Sequence, residues 1–235
     1  MHLLITSAAS QVGQWLAAAL GNEHSLRLTD RAPLSSEQSQ RGGDYVFAHS
    51  SLGHDFSTNL LVRGMEAIIH VAEPLADESP EQQIDYLTRG TYNLLRAAAE
   101  ERVQRVVYLS TLSLMGQYDE VFNVNERWQP RPTTDPALLA KHLGESVCRE
   151  FAREHKLTVI VLRLGAVVQA EAVAGQPFNS MWVDEQDVAQ AVSQALTADV
   201  GVWTVCHIQA ESPNARFPVT QARRILGYSP AIRFE

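Results

Sequence analysis

Short apolar runs rich in Leu, Ile and Val alternate along this chain with longer stretches whose apolar residues recur at spacings of three and four. Leu94, Leu95, Ala98 and Ala99 illustrate the second pattern, the spacing of a helix face laid on a sheet. The runs predict strands at residues 2–6, 25–29, 45–48, 67–71, 105–110, 158–162 and 202–208. The periodic stretches predict helices at 11–20, 57–63, 81–102, 137–155 and 185–198. Alternation of this kind is the signature of repeated βαβ units, and so of an α/β doubly wound parallel sheet with helices on both faces. Residues 31–43, polar and rich in Gly and Ser, predict a surface loop or a frayed short helix. Residues 116–136, with Pro130, Pro132 and Pro136, predict an extended connection long enough to serve as a lid.

The first unit carries the strongest chemical suggestion. Leu3-Leu4-Ile5 gives way to Thr6-Ser7-Ala8-Ala9-Ser10-Gln11-Val12-Gly13 and then to a helical pattern, which reads as strand, tight turn and helix. Such a turn places backbone N–H groups and the positive end of a helix against a dinucleotide pyrophosphate. The candidate cradle is Thr6, Ser7, Ser10, Gln11, Val12 and Gly13. The usual fingerprint has glycine at three of these positions; here Ser7 and Ser10 fill two, and Gly13 the third. A positive φ at Ser7 would cost about 1–2 kcal/mol, and a Cβ at Ser10 would approach the pyrophosphate, so binding is expected to be weakened rather than abolished. The second strand runs into Asp30-Arg31. A carboxylate there accepts both ribose hydroxyls of an adenosine and favours NAD, whereas the Arg31 guanidinium could take a 2′-phosphate and leaves NADP open. Asp30 serving only to cap its own turn is the structural alternative.

Composition narrows the partners. The 235 residues are 45% hydrophobic and 20% charged, enough for a well-buried α/β domain. A net charge of -8 with no Lys/Arg cluster argues against nucleic acid; Arg223-Arg224 is better explained as a solvated helix face. Cys148 and Cys206 are too few for a disulfide framework and lack metal-ligand spacing, which fits a reducing cytosol and no metal site. No apolar run approaches the roughly 20 residues of a membrane span, so a soluble, cytoplasmic protein is expected.

Several segments in order carry a family resemblance. They are 6–13, Gly64-Met65-Glu66-Ala67-Ile68-Ile69-His70-Val71-Ala72, Gly90-Thr91-Tyr92-Asn93-Leu94-Leu95, Arg105-Val106-Val107-Tyr108-Leu109-Ser110-Thr111, Lys141-His142-Leu143-Gly144-Glu145, Leu162-Arg163-Leu164-Gly165 and Trp182-Val183-Asp184. Together they resemble the extended short-chain dehydrogenase/reductase family, in its NAD-dependent epimerase/dehydratase branch, and the short length and ending are similar to uronate dehydrogenases. The resemblance implies a Rossmann-like domain over 1–235, with 166–235 a very small C-terminal substrate-side appendage interleaved with it. It also implies a homodimer through helices 81–102 and 137–155, with Cys148 and Val147 packing there.

The family's chemistry uses a general acid/base tyrosine, a lysine four residues later on the same helix face, a Ser/Thr on the substrate oxygen, and often an asparagine. Carried over, the Ser/Thr is Thr111 and the lysine Lys141, with Val71 and Ala72 beside the cofactor; the tyrosine position is Ala137 and the asparagine position Leu87. Tyr118, in the long connection, is the candidate substitute acid, and His142 is directed off the lysine's face. Glu73 stands where the family has a small residue beside the cofactor, and the simplest expectation is a side chain directed to solvent. The 166–181 link is expected to be brief and without elements, leaving a small or open pocket for a compact small-molecule ligand.

These residues leave three functions open. One is a catalytically silent member that binds NAD or a related ligand for a sensing or partner role, suggested by Ser7, Ser10, Leu87 and Ala137 together. Another is an active NAD-dependent oxidoreductase or epimerase on a small sugar or sugar acid, using Thr111 and Lys141 with a substitute proton donor. The third is a scaffold that uses the fold alone.

Overall fold

The computed structural model describes residues 1–34, 45–155, 157–211 and 215–234. Its strands are β1 (His2–Ile5), β2 (Ser25–Asp30), β3 (Tyr45–His49), β4 (Ala67–His70), β5 (Arg105–Thr111), β6 (Thr158–Leu164), β7 (Ala166–Val168), β8 (Trp182–Asp184) and β9 (Trp203–Ile208). Its helices are α1 (Gln11–Leu20), α2 (Phe56–Val62), α3 (Pro80–Asp85), α4 (Thr91–Glu100), α5 (Pro136–His155), α6 (Glu185–Thr197) and α7 (Thr220–Leu226). Seven strands form one sheet in the order β3-β2-β1-β4-β5-β6-β9, every pairing parallel. The order reverses between β1 and β4, and a doubly wound sheet opens its ligand crevice at that point, beyond the carboxyl ends of the strands.

Parallel strands are covered on both faces, so their sequences run apolar without alternation; β4 is buried throughout and β6 in six of its seven residues. One face packs Leu3, Ile5, Leu109 and Leu162 against Leu16 and Leu20 of α1 and Val188 and Val192 of α6. The other packs Leu4, Ile68, Val106 and Val161 against Leu61 of α2, Leu94 and Leu95 of α4 and Cys148 and Phe151 of α5. This is the three-layer Rossmann-like arrangement that the alternation predicted. Both cysteines are free and buried.

Three features depart from expectation. The helix expected at 81–102 is interrupted by a π-helical turn at Tyr86–Gly90 between α3 and α4. The Thr88 hydroxyl donates to Ile84 O at 2.6 Å and that of Thr91 to Leu87 O at 2.7 Å, so side chains bond carbonyls of the altered backbone. The link before Trp182 is not featureless: β7 and β8 pair in parallel as a second, two-stranded sheet, the small appendage, because Ala166 N–H donates to Met181 O at 2.7 Å. Lastly, α7 had no clear apolar period, yet Ala222 and Leu226 join the core. The loop expectation for 31–43 falls mostly outside the described residues. The 116–136 connection packs over a third apolar cluster of Leu112, Leu114, Met115, Val124 and Phe217. Among the described residues, no helix is long and apolar enough to cross a membrane.

Candidate active site

The turn after β1 adopts the conformation its sequence threatened. Ser7 has φ 48°, the left-handed region that glycine ordinarily fills. Its hydroxyl accepts from Glu73 N–H at 3.1 Å and lies 3.3 Å from both Glu73 O and the Tyr86 hydroxyl. Ser10 acts as the N-cap of α1 and accepts from Gly13 N–H at 3.1 Å. Gly13 is required by close approach: a Cβ there would meet Ala8 Cα at 2.9 Å and run into the Ser7 carbonyl. With Gly13 and Gln14 bonded back to Ser10, the N–H groups of Gln11 and Val12 stand at the open helix end with no protein partner among the described residues. Beneath them the Thr6 hydroxyl donates to His70 Nδ1 at 2.7 Å. His70 Nε2 lies 2.9 Å from the Thr91 hydroxyl, whose proton goes to Leu87 O, so the ring carries its proton on Nε2. Burial, then the charges of Lys141 and Arg31, push the His70 pKa down to about 3.

At the end of β2, the buried Asp30 carboxylate accepts from Ala9 N–H at 2.8 Å and Arg31 N–H at 2.6 Å. It therefore braces its own turn and the turn after β1 together, the capping alternative, at the carboxyl end of β2. Arg31 is engaged by protein groups. Its guanidinium lies 3.2 Å above the Tyr86 ring centroid, pairs with Glu78 at 2.6 Å and donates to Glu73 O at 3.3 Å. Nothing in the sequence pointed to Tyr86 or Glu78, because both act through contacts between separate segments.

Lys141 lies on the buried face of α5, which Pro136 opens and Asp135 caps through Leu138 N–H at 2.9 Å. All three of its donors are used: Nζ bonds Val71 O at 3.1 Å, Leu109 O at 2.9 Å and Glu73 Oε1 at 2.9 Å. The ammonium thus straddles the carbonyl ends of β4 and β5. Val71 and Ala72 are fully buried and offer backbone; Ala72 has φ 54°. Glu73 corrects the solvent expectation. Its backbone is clamped by Ser7 and Arg31, and its side chain reaches Lys141 while remaining 38% exposed.

Thr111 ends β5 and accepts from Ser113 N–H at 3.1 Å, so its own proton is free to be donated. Tyr118 is committed elsewhere. Its hydroxyl donates to Gln129 O at 2.8 Å, and its ring lies against Trp128 and the Arg131 guanidinium. His142 lines a groove beside Glu145, Ser146 and Arg149 rather than the Lys141 mouth. Leu87 is fully buried in the core.

One turn along α5, Glu145 makes a second ion pair. Arg163 of β6 donates to it bidentately at 2.9 and 2.7 Å, with both side chains buried. His207, level with Arg163 on β9, has neither ring nitrogen bonded, and burial and the Arg163 charge push its pKa down to about 3. Among the described residues no cluster of three or more His, Cys, Asp or Glu could hold a metal.

An open helix end after β1 and a carboxylate at the tip of β2, beside a topological switch point, are features that dinucleotide-binding sheets share. Comparison with known proteins gives that class its family. The profile of the NAD dependent epimerase/dehydratase family matches residues 3–203, and the chain belongs to that family. It is 25% identical to the NAD-dependent glucose-6-phosphate dehydrogenase of Haloferax volcanii, over 97% of this chain and 92% of that protein. It is also 25% identical to the uronate dehydrogenase of Pseudomonas syringae pv. tomato, over 85% of this chain and 71% of that protein. Among solved structures, the glucuronic acid dehydrogenase of Chromohalobacter salexigens aligns with a TM-score of 0.85 at 21% identity, covering all of this chain and 85% of that one. A tyrosine-to-alanine mutant of the Agrobacterium tumefaciens uronate dehydrogenase complexed with NAD aligns with a TM-score of 0.84 at 22% identity, covering 98% of this chain and 84% of that one.

Proposed function

We propose that this protein is an NAD-dependent oxidoreductase acting on a small sugar or sugar acid, with Thr111 and Lys141 in its active site. The observation that carries the proposal is Lys141. Its buried ammonium is held by the Val71 carbonyl just past β4 and the Leu109 carbonyl of β5, the strand that Thr111 ends with its hydroxyl proton unused. NAD is favoured over NADP because Arg31 is spent on Glu78 and Tyr86, leaving the Asp30 carboxylate to repel a 2′-phosphate. The relatives named for glucose 6-phosphate and uronate point to the substrate class, and the short β7–β8 appendage suits a compact ligand.

When bound, NAD would supply the oxidant. The chain's part would be to fix it through Gln11, Val12 and Asp30, with Lys141 taking part by exchanging one of its three protein partners, and to orient a substrate hydroxyl on Thr111. Thermal unfolding with NAD and with NADP tests this first. NAD at a hundred times its dissociation constant adds about 2.7 kcal/mol of stability, so no shift at millimolar NAD sinks the proposal. Oxidation of glucose 6-phosphate, L-arabinose or glucuronate is the second arm.

A silent, NAD-binding member is the rival, favoured by Ala137 and Leu87 in place of hydrogen-bonding side chains; turnover of none of these substrates by a chain that binds NAD selects it. We further propose that 1–235 acts as one cytoplasmic unit that pairs as a homodimer. The apolar groove of Tyr92, Val147 and Phe151 between α4 and α5 is the proposed seam, checked by light scattering on the protein and on Tyr92→Glu.

A further inference from the structure

We propose that Glu73 is the general base of this site, taking over from across the crevice the proton-transfer role for which α5 itself, with Ala137 one turn before Lys141, has no side chain. The inference rests on the oxidoreductase function proposed above. Four observations converge on Glu73. Among the described residues it is the one titratable side chain bonded to Lys141 Nζ, at 2.9 Å. Its backbone is fixed at both polar atoms, N–H by the Ser7 hydroxyl at 3.1 Å and C=O by that hydroxyl and Arg31 at 3.3 Å each. The two non-glycine residues with positive φ nearest to it, Ser7 and Ala72, belong to the clamp that aims it. Strain of that kind persists where its surroundings over-determine it, and it clusters at functional sites. Finally, Lys141 occupies one carboxylate oxygen while the side chain is 38% exposed, which leaves Oε2 for a ligand at the mouth.

Position agrees with chemistry. His70 of β4 pairs with Tyr108 of β5, so Glu73 and Thr111 each stand three residues beyond the same rung of adjacent strands. Both therefore lie at or beyond the carboxyl ends of neighbouring strands, where a doubly wound sheet opens its crevice. The charged and titratable groups around Glu73 are Lys141 from α5, Arg31 from the end of β2, Glu78 on its own loop, and the buried His70, Tyr86 and Tyr108, the last of which feels the Glu73 charge. In the step, the substrate O–H bond breaks and its proton goes to Glu73 Oε2. The O–H electron pair would become the second carbon–oxygen bond, and the hydride lost from the carbon would be taken up by a nicotinamide dinucleotide, the oxidant that this cofactor supplies when bound. Glu73 then loses the proton to water through its exposed side. Lys141, bonded to Oε1 at 2.9 Å, holds the carboxylate in place.

The test compares the full-length protein with Glu73→Gln and Glu73→Asp. NAD affinity is read by tryptophan fluorescence, and turnover of NAD with glucose 6-phosphate, L-arabinose and glucuronate is read across pH. We expect Glu73→Gln to bind NAD within about threefold of wild type while kcat falls about 10²- to 10⁴-fold, the usual worth of a positioned base. Wild-type kcat/KM should fall as pH drops through the carboxylate range; that limb should vanish in Glu73→Gln and return in Glu73→Asp with part of the rate. Wild-type turnover with Glu73→Gln within threefold of it overturns the role of Glu73 alone. NAD binding tightened tenfold or more in Glu73→Gln with turnover kept also overturns it, since Glu73 would then be a plug on Lys141. A wild type that binds NAD and oxidises none of the three overturns the oxidoreductase proposal and this one with it.

Discussion

Helix α5 presents two ion pairs one turn apart, and they differ in how deeply they are placed. Glu145 meets Arg163 with side-chain exposures of 6% and 4%, whereas Lys141 meets Glu73 at 7% and 38%. The first pair is sealed between the helix, β6 and Met115 of the loop after β5, and its geometry leaves no oxygen for a ligand. The second is sealed only on the lysine side. Each has a buried histidine nearby whose protonation it opposes, His207 beside Arg163 and His70 beside Lys141. One kind of contact, an ion pair on one helix face, serves as a rivet where both partners are dry and as an adjustable site where one partner stays wet. Removing Arg163 strands a buried carboxylate, whereas removing Glu73 leaves the Lys141 ammonium bonded to the carbonyls of Val71 and Leu109.

The largest test of that contrast is Arg163→Ala, which leaves Glu145 buried without its cation. A loss of about 3–5 kcal/mol in urea unfolding is expected, and a loss under 1 kcal/mol would show that the pair is not sealed. Next comes pH. Both histidines are neutral when folded down to about pH 3, whereas the unfolded chain protonates them near 6.5, so the unfolded state binds more protons in that window and stability falls as pH falls from 6.5 toward 3. Each contributes about 1.4 kcal/mol per pH unit. His207→Leu should remove one such increment from the slope while leaving His70's in place; an unchanged slope refutes the assignment.

Gly13→Ala should cost about 1–3 kcal/mol, since a methyl would press on Ala8 and on the Ser7 carbonyl whose residue clamps Glu73. Full stability in that variant would mean the turn is looser than drawn. Ser7→Gly should be about 1 kcal/mol more stable than Ser7→Ala. Both lose the hydroxyl, but only alanine retains the left-handed penalty at φ 48°. Smallest of all, Glu73→Ala should change stability by less than about 1 kcal/mol, as its partner pair is half-open to water. A loss comparable to that of Arg163→Ala would erase the distinction between the two pairs.

How far the sequence reached can be judged from particular residues. The parallel sheet was legible because β6, Thr-Val-Ile-Val-Leu-Arg-Leu, can only be a strand covered on both faces. The turn at Ser7 was legible because strand, small residues and helix follow without a gap. The π turn at Tyr86–Gly90 was not, since it keeps the helical period on either side. Nor was the β7–β8 pair, whose three-residue strands are too short to show alternation. Tyr118 was singled out for its type and its place after Thr111, and the fold turns its hydroxyl to Gln129.

By itself, the sequence determined the layers and the succession of βα units, because these depend on local periodicity; Asp30 was legible from its place at the end of β2, and Thr111 and Lys141 only through the family resemblance. Only the tertiary structure decided what Lys141 holds. Glu73 lies 68 residues from it in the chain, and no period or motif links a loop after β4 to a helix after β5. That pairing depends on which strands become neighbours and on a backbone bent at Ser7 and Ala72, which is a property of the packed sheet and not of either segment alone.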